Sequence, residues 1–400
     1  MRKVLTQYGI DDVKATLDAF SRLTKDVLSG DITKDLEAIT PKTLRKFKMK
    51  EASKMIGRSD AYLRKLEKEN ENEKLYSPEK QNSIRYYSLD LINRLRDKAG
   101  TRYHRPTGTK PIIISVSNFK GGVGKSITSK TLADKFALEG LRVLSIGMDA
   151  QGTDSLYYGI IPDIDIEPHE TIRPALLEDP SQIKNLIKKT YFPGIDIIPG
   201  NLSLNDVEIK LTDYKEQMKQ IKTLGMPDER LKKALEFISD DYDVILLDCG
   251  PNLNILTLNS IEACNGMLIP VPPASPDLAS FGTYCSTLSS HLGYSSRKSR
   301  NMDFLRIVIT KHPNNSTAQR LSKIMRDNFG TYMTLRNIVY SAEIEKAASE
   351  FSSLYEILPN SRKSYIRAME STESVTNEIF DAIKMIWESQ VNEYEETGNE

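Results

Sequence analysis

The residue types most able to do chemistry crowd into the middle of the chain. Lys120-Gly-Gly-Val-Gly-Lys-Ser126 places three glycines between two lysines and ends in a hydroxyl. Gly121, Gly122 and Gly124 let backbone N–H groups approach a phosphate closely, Lys125 reaches toward β- and γ-phosphates, and Ser126 is placed to hold Mg²⁺. Two downstream aspartates end apolar runs. Asp149 opens Asp149-Ala-Gln-Gly-Thr, and Asp248 closes Asp243-Val-Ile-Leu-Leu-Asp248 before Cys249-Gly-Pro. Such carboxylates hold a metal through water or orient an attacking water. Together these are the parts of a phosphoryl-transfer site for a nucleoside triphosphate.

The elements that must position them follow from apolar patterning. Ile112–Val116 is a β-branched run that reads as a buried strand, and 127–140, with Leu132, Phe136 and Leu138, reads as a helix. Strand, glycine loop and helix in that order make a phosphate cradle, because the helix N-terminus adds a positive dipole end. Leu141–Met148 and Asp243–Asp248 are two more strands that deliver Asp149 and Asp248 to the carboxyl edge of a sheet, where ligands bind. Met267–Val271, leading to Pro272–Pro276, and Phe304–Thr310, followed by Lys311 and His312, add further strands. By position their loops line a base pocket, with Thr310 and Lys311 as its candidates; His312 reads as a loop histidine. Helices over 124–140, 202–221, 254–264, 277–292 and 316–329 alternate with these strands. The prediction is an α/β fold with a mostly parallel, doubly wound sheet covered on both faces.

The chain's 400 residues allow two or three domains of ~100–200 residues. Its 55 basic and 55 acidic residues are unevenly placed: residues 1–109 carry 24 Lys/Arg against 16 Asp/Glu, a net of +8, and the rest carries 31 against 39, a net of −8. A basic front on an acidic remainder predicts that the front meets a polyanion. Ile10, Val13, Leu17, Phe20 and Val27 form the stripe of an amphipathic helix, and 1–39 reads as a segment that pairs with a second copy. Residues 40–98 read as a DNA-binding unit. Two short helices break at Gly57, with Ala52, Met55 and Ile56 facing the core from the first and Ala61, Tyr62 and Leu66 from the second. Ser59 caps the second helix. Arg58, Ser59, Asp60, Arg64 and Lys65 are the candidates to touch DNA. The polar run 69–83 followed by Ile84–Ser88 reads as a wing, ahead of a helix over 89–97, and 99–110 has linker chemistry.

Cys249, Cys264 and Cys285 match no metal spacing, and three cysteines without an export signal suit a reducing cytoplasm. No stretch approaches the ~18 apolar residues of a membrane span.

The loop departs from the ordinary P-loop pattern: Phe119 stands where a first glycine is expected, and Lys120 precedes Gly121. The form K-G-G-x-G-K-S/T resembles the deviant Walker A box of the ParA/MinD ATPases. That resemblance implies nucleotide contacts from Lys120 through Val123 to Ile127, with Lys120 crossing a dimer interface to the partner's phosphates. Asp149 matches the second carboxylate of the family's D-x-D-P-Q-G switch, Gly147 and Ala150 replacing its first Asp and its Pro. Gly250 replaces the first Pro of D-x-P-P after the Walker B aspartate, beside the γ-phosphate. Residues 40–98 resemble the winged helix-turn-helix in front of the larger plasmid ParA proteins, and 111–390 the ATPase domain. The implied protein is a slow, partner-stimulated ATPase that uses ATP and Mg²⁺ and sits on the nucleoid in the bacterial cytoplasm. It forms a homodimer, binds DNA, works with a ParB-type centromere-binding protein and represses its own operon. The family's non-specific DNA arginine aligns with Glu343, so that contact does not carry over; Lys346, Arg362, Lys363 and Arg367, with Arg336 near them, are the basic residues left. Val391–Glu400 has four glutamates and no Lys/Arg, unlike the basic membrane helix of MinD-type proteins. A nucleotide-sensing repressor without a partition role is the alternative. Cys249 invites comparison with iron–sulfur ATPases of the same fold, but the spacing differs.

Overall fold

The computed structural model describes residues 42–69, 76–294 and 302–397, so the helix expected over 10–28 lies outside the described residues. At the front, Phe47–Lys48 (β1), Glu79–Gln81 (β2) and Ile84–Tyr87 (β3) form an antiparallel sheet in the order β1-β3-β2. The helices Met49–Ile56 and Asp60–Glu69 meet at Gly57, whose φ of +68° suits glycine. Ser59 caps the second helix as expected, its Oγ accepting from the Tyr62 N–H at 3.2 Å. Ala52 and Ile56 are buried, but in the second helix Leu63 and Leu66 make the core face, with Tyr62 half-buried, and Ala61 is exposed. The reason is helical phase: Ala61 lies two residues from Leu63, about 200° around the axis.

The segment expected to be a linker is tied down. Tyr103 stacks on Trp387 (6.0 Å) and meets Phe380 edge-on (5.7 Å). Arg102 donates twice to the Gly140 carbonyl, at 3.0 and 2.9 Å. Polar composition here marks attachment points.

The central sheet has seven strands: Ile112–Val116 (β4), Val143–Met148 (β5), Lys188–Lys189 (β6), Ile195–Ile198 (β7), Val244–Cys249 (β8), Gly266–Val271 (β9) and Phe304–Ile309 (β10). Their order is β10-β9-β4-β8-β5-β7-β6, parallel except for the edge strand β6. Successive residues serve opposite faces, as the pleat requires. Val244 and Leu246 join one core, shared with the helices Lys125–Leu138 and Lys363–Thr397, and Ile245 and Leu247 join the other. The mostly parallel, two-sided sheet is thus the one expected.

Three features differ. The helix expected over 202–221 is two helices, Leu204–Thr212 and Tyr214–Leu224, because Asp213 caps the second by accepting from the Lys215 and Glu216 N–H groups. β6 and β7 were too short to read. The helix Lys363–Thr397 takes in residues 391–397 of the acidic stretch. Lys130 is also unforeseen. It is wholly buried on the helix after the glycine loop and pairs with Asp134 (2.6 Å) and Glu356 (2.9 Å). Among the described residues no helix is long and apolar enough to cross a membrane.

Candidate nucleotide-binding site

β4 lies between β8 and β9, so the loop that leaves it emerges at the carboxyl edge with strands on both sides. Side chains seat the loop before the glycines begin. The Ser117 and Tyr284 hydroxyls are 2.7 Å apart, the Asn118 amide donates to the Pro270 carbonyl at 2.8 Å, and Phe119 packs edge-on to Tyr284 at 5.1 Å. Phe119, in place of the usual glycine, therefore anchors the loop entry to the helix Ser275–Tyr294. Gly122 (φ +75°) and Gly124 (φ +95°) then take left-handed conformations that a Cβ disfavours. Gly124 leads into the helix Lys125–Leu138 and leaves its first N–H groups facing the cavity.

The two lysines part company. Lys125 is buried under the loop, its Nζ donating to the Lys120 carbonyl at 3.1 Å. Burial holds its pKa below the ordinary lysine value, with Asp248 opposing that shift. Lys120 turns the other way and pairs with Asp277 at 2.9 Å, on the first turn of the same helix that receives Phe119.

The carboxylates come from neighbouring strand ends. Asp248 ends the apolar run of β8, in register with Val116 and Gly147. Both its oxygens are buried without a hydrogen-bond partner among the described residues. Burial pushes its pKa well above the carboxylate range and Asp154 adds to this, while the Ser126 hydroxyl, nearby but outside hydrogen-bond geometry, and Lys125 oppose it. Asp154 went unnoticed in the sequence, where only its place shortly after Asp149 could have hinted at it. It is buried, accepts from the Ser145 hydroxyl at 3.0 and 3.2 Å, and is pushed up to about 6 by burial. Asp149 lines the cavity and accepts from the Gln151 N–H at 3.0 Å. An orphaned buried carboxylate beside a serine hydroxyl and a second carboxylate is an all-oxygen donor set that fits a hard divalent cation such as Mg²⁺.

Two departures from the family pattern acquire physical reasons. A Cβ on Gly147 would lie 2.7 Å from the Gly200 nitrogen, so no aspartate fits there. Gly250 packs against Asp149: a Cβ would sit 3.3 Å from the carboxylate carbon. Cys249 is buried in β8 with Sγ 3.4 Å from the Ser115 hydroxyl, and burial pushes its thiol up to about 11, away from thiolate chemistry.

A cavity of about 460 Å³ runs past the glycine loop and Asp149, and Lys120, Asp154 and Asp248 are not among the residues that border it. Gly121, Gly122, Gly124, Lys125, Ser126, Ile127, Asp149, Thr310 and Lys311 all border it, whereas the Val123 side chain is buried. Thr310 braces the loop, its hydroxyl donating to the Val123 carbonyl at 2.7 Å. The far end is apolar, with Ile338, Val339, Ile344, Ala347 and Leu354, and is the natural seat for a base. Sequence reasoning missed it because these residues come from an irregular segment and the short helix Ala342–Ser349.

The candidate DNA residues fall in separate places. On the front unit, Arg64 and Lys65 project from the second helix, Arg64 beside Lys46, Lys48 and Lys50 and Lys65 pairing with Glu69 at 3.6 Å. Arg58 is drawn back to the Ala99 carbonyl (2.9 Å), Ser59 is occupied as a cap, and Asp60 is half-buried. The patch expected from Lys346, Arg362, Lys363 and Arg367 divides. Lys346 faces Glu350 (3.8 Å), Arg362 faces Glu343 (3.9 Å), Lys363 is exposed, and Arg367 lies in a different groove with Arg326 and Arg336.

A family profile described as "AAA domain" matches residues 111–290. Protein SopA of Escherichia coli K12 is 34% identical over 360 residues, covering 87% of this chain and 91% of SopA. The chromosome partitioning protein ParA of Myxococcus xanthus is 34% identical over 170 residues, 42% of this chain and 55% of its own. A solved structure described as "Partition Protein" has the same fold, with a TM-score of 0.66 at 18% identity over 92% of this chain and 98% of that one.

Proposed function

The chain belongs to the ParA-type partition ATPases, the family of SopA, and from that premise we propose that it hydrolyses ATP with Mg²⁺ to drive DNA partitioning as a nucleotide-dependent homodimer. The observation that carries this reading is the division of labour between Lys125, buried beneath its own cradle, and Lys120, held outside it on Asp277. The glycine backbone and Lys125 bind the phosphates, the apolar end of the cavity takes adenine, and Ser126 and Asp248 would hold the metal. Mg²⁺, when bound, neutralises charge on the β- and γ-phosphates. Asp149 orients the attacking water, with Gly250 leaving it room. Lys120 serves the facing copy, stabilising the charge that develops on its phosphates.

Around this engine we place the finer parts. The helix pair and three-stranded sheet of residues 42–99 act as a winged helix-turn-helix that reads an operator with Arg64 and Lys65, aided by Arg58. Basic residues near the end of the fold, Arg367 and Lys363 among them, hold nucleoid DNA without sequence preference. A ParB-type protein stimulates slow turnover, and the front unit represses the chain's own operon. One observation also favours a nucleotide-sensing role. Arg96, buried on the front unit, donates to the Leu138 carbonyl at the end of the glycine-loop helix (2.7 Å) and to the Met55 carbonyl (2.9 Å). The phosphate site and the operator-reading helices are thus one helix apart.

Phosphate release measured with DNA and with the cognate centromere-binding protein tests the reading. Stimulation by the two together is expected; a rate that neither changes would favour the sensing repressor.

A further inference from the structure

We propose that Lys42 and Arg45 of the front unit are positioning residues for the base end of the nucleotide cavity, acting through segment 350–356. Neither side chain borders the cavity. The segment that lies between has an unusual backbone. It leaves the helix Ala342–Ser349 through Phe351, whose φ of +49° is left-handed although the residue carries a Cβ. Such a conformation persists only where its surroundings hold it.

The hold comes from two sides. From the front unit, the Lys42 ammonium donates to the Phe351 carbonyl, to the Glu350 carbonyl at 3.2 Å and to the Ser352 hydroxyl at 3.4 Å. A cation is thereby placed at the end of the helix Ala342–Ser349, where the carbonyls lack helical partners and the dipole end is negative. Arg45 donates to the Tyr355 carbonyl at 3.1 Å. Its guanidinium is fixed within its own unit by Glu51 (2.8 Å) and by the Phe47 ring, 4.4 Å away at the centroid. From the opposite side, the Ser353 hydroxyl donates to Asp134 at 2.6 Å, Glu356 pairs with Lys130 at 2.9 Å, and the Tyr355 and Thr376 hydroxyls are 2.8 Å apart.

The segment held this way is a wall of the base end. Leu354 borders the cavity, as do Ala347 and Ala348 in the last turn before Phe351. Phe351 itself packs edge-on to Tyr157 at 6.1 Å, and Tyr157 borders the cavity too. The phosphate end is built from the glycine loop, which Lys42 and Arg45 do not touch. Loss of the two cations therefore loosens the wall against the base and leaves the phosphate cradle in place. This link is separate from that of Arg96, which reaches the end of the glycine-loop helix. The inference rests on the nucleotide reading of the cavity given above.

The test uses the full chain with Mg²⁺ and compares ATP with inorganic tripolyphosphate, which offers phosphates without a base. Affinities are read by displacement of a fluorescent ATP analogue, alongside phosphate release from ATP. Lys42→Met with Arg45→Met should weaken ATP binding about tenfold, inside the ~5–150-fold range ordinary for coupled sites. KM for ATP should rise by the same factor with kcat unchanged, the pattern of lost uniform binding. Tripolyphosphate affinity should stay as in the parent. Lys42→Gln alone keeps a donor and should show a smaller loss of the same selective kind; if the double variant does not fold, this one decides by the same comparison. ATP affinity equal to the parent's would overturn the proposal. Equal losses for ATP and tripolyphosphate would overturn it as well, since they mark a general loosening of the fold. A parent that binds neither ligand would instead sink the nucleotide reading itself.

Discussion

Replacing Lys120 and Lys125 separately should produce two different defects, although both sit in one glycine-rich loop. Lys125 is buried beneath the loop and donates to the Lys120 carbonyl. Charge-assisted hydrogen bonds contribute about 1.5–3 kcal/mol each, so losing two to phosphate costs about 3–6 kcal/mol. At about 1.4 kcal/mol per tenfold, Lys125→Ala should weaken nucleotide binding by roughly 10²–10⁴-fold. Lys120 instead holds Asp277 at 2.9 Å, with side-chain exposures of 39% and 12%. Screened pairs of this kind contribute about 0.2–1 kcal/mol. Lys120→Ala should thus change the single chain's nucleotide affinity by less than about fivefold. Turnover should fall by roughly 10²–10³, the usual cost of removing one charge stabiliser from a transition state. Asp277→Ala completes the set. Freeing Lys120 in both copies removes about 0.4–2 kcal/mol of competition, so nucleotide-dependent dimers should tighten by about 2–30-fold. Titration with a fluorescent ATP analogue, sedimentation and phosphate release read the three quantities. Equal loss of nucleotide affinity in the two lysine variants, or weaker dimers from Asp277→Ala, would refute the reasoning.

Restoring the family's first switch carboxylate should harm this protein. Gly147→Asp or Gly147→Ala forces a Cβ to 2.7 Å from the Gly200 nitrogen, and overpacking of this order costs about 1–3 kcal/mol, visible as a lower denaturation midpoint without a gain in turnover. Lys130→Met leaves Asp134 and Glu356 buried without their shared cation and should cost about 3–5 kcal/mol of unfolding free energy in urea; an unchanged midpoint would show that the network carries no stability.

Legibility followed the length over which a signal persisted. β4, β8 and the helix after the glycine loop are long and strongly patterned, and each lies within a residue or two of its expected place. β6 and β7, of two and four residues, are too short for periodicity to speak. The helix expected over 202–221 was misread because Asp213 acts as a cap in the middle of an apolar pattern. The candidate site was legible where it was local. Gly121 to Ser126, Asp149 and Asp248 border or underlie one cavity, but its apolar end at 338–354 is assembled from residues with no common pattern.

By itself the sequence determined the phosphate chemistry, because glycines, lysine and serine act through backbone geometry within seven consecutive residues. It also determined the layered sheet, because runs of apolar β-branched residues can only be buried between two helical faces. Only the tertiary structure decided what each charge does. The motif assigns Lys125 to its own phosphates and, by resemblance, Lys120 to a partner's, but only the fold brings Asp277, 157 positions on, to Lys120 and closes the loop over Lys125. Arg362 and Arg367 likewise look alike in the sequence until Glu343 meets the first and the groove with Arg336 receives the second. A charge's role is set by the partners that folding brings to it, and those lie far away along the chain.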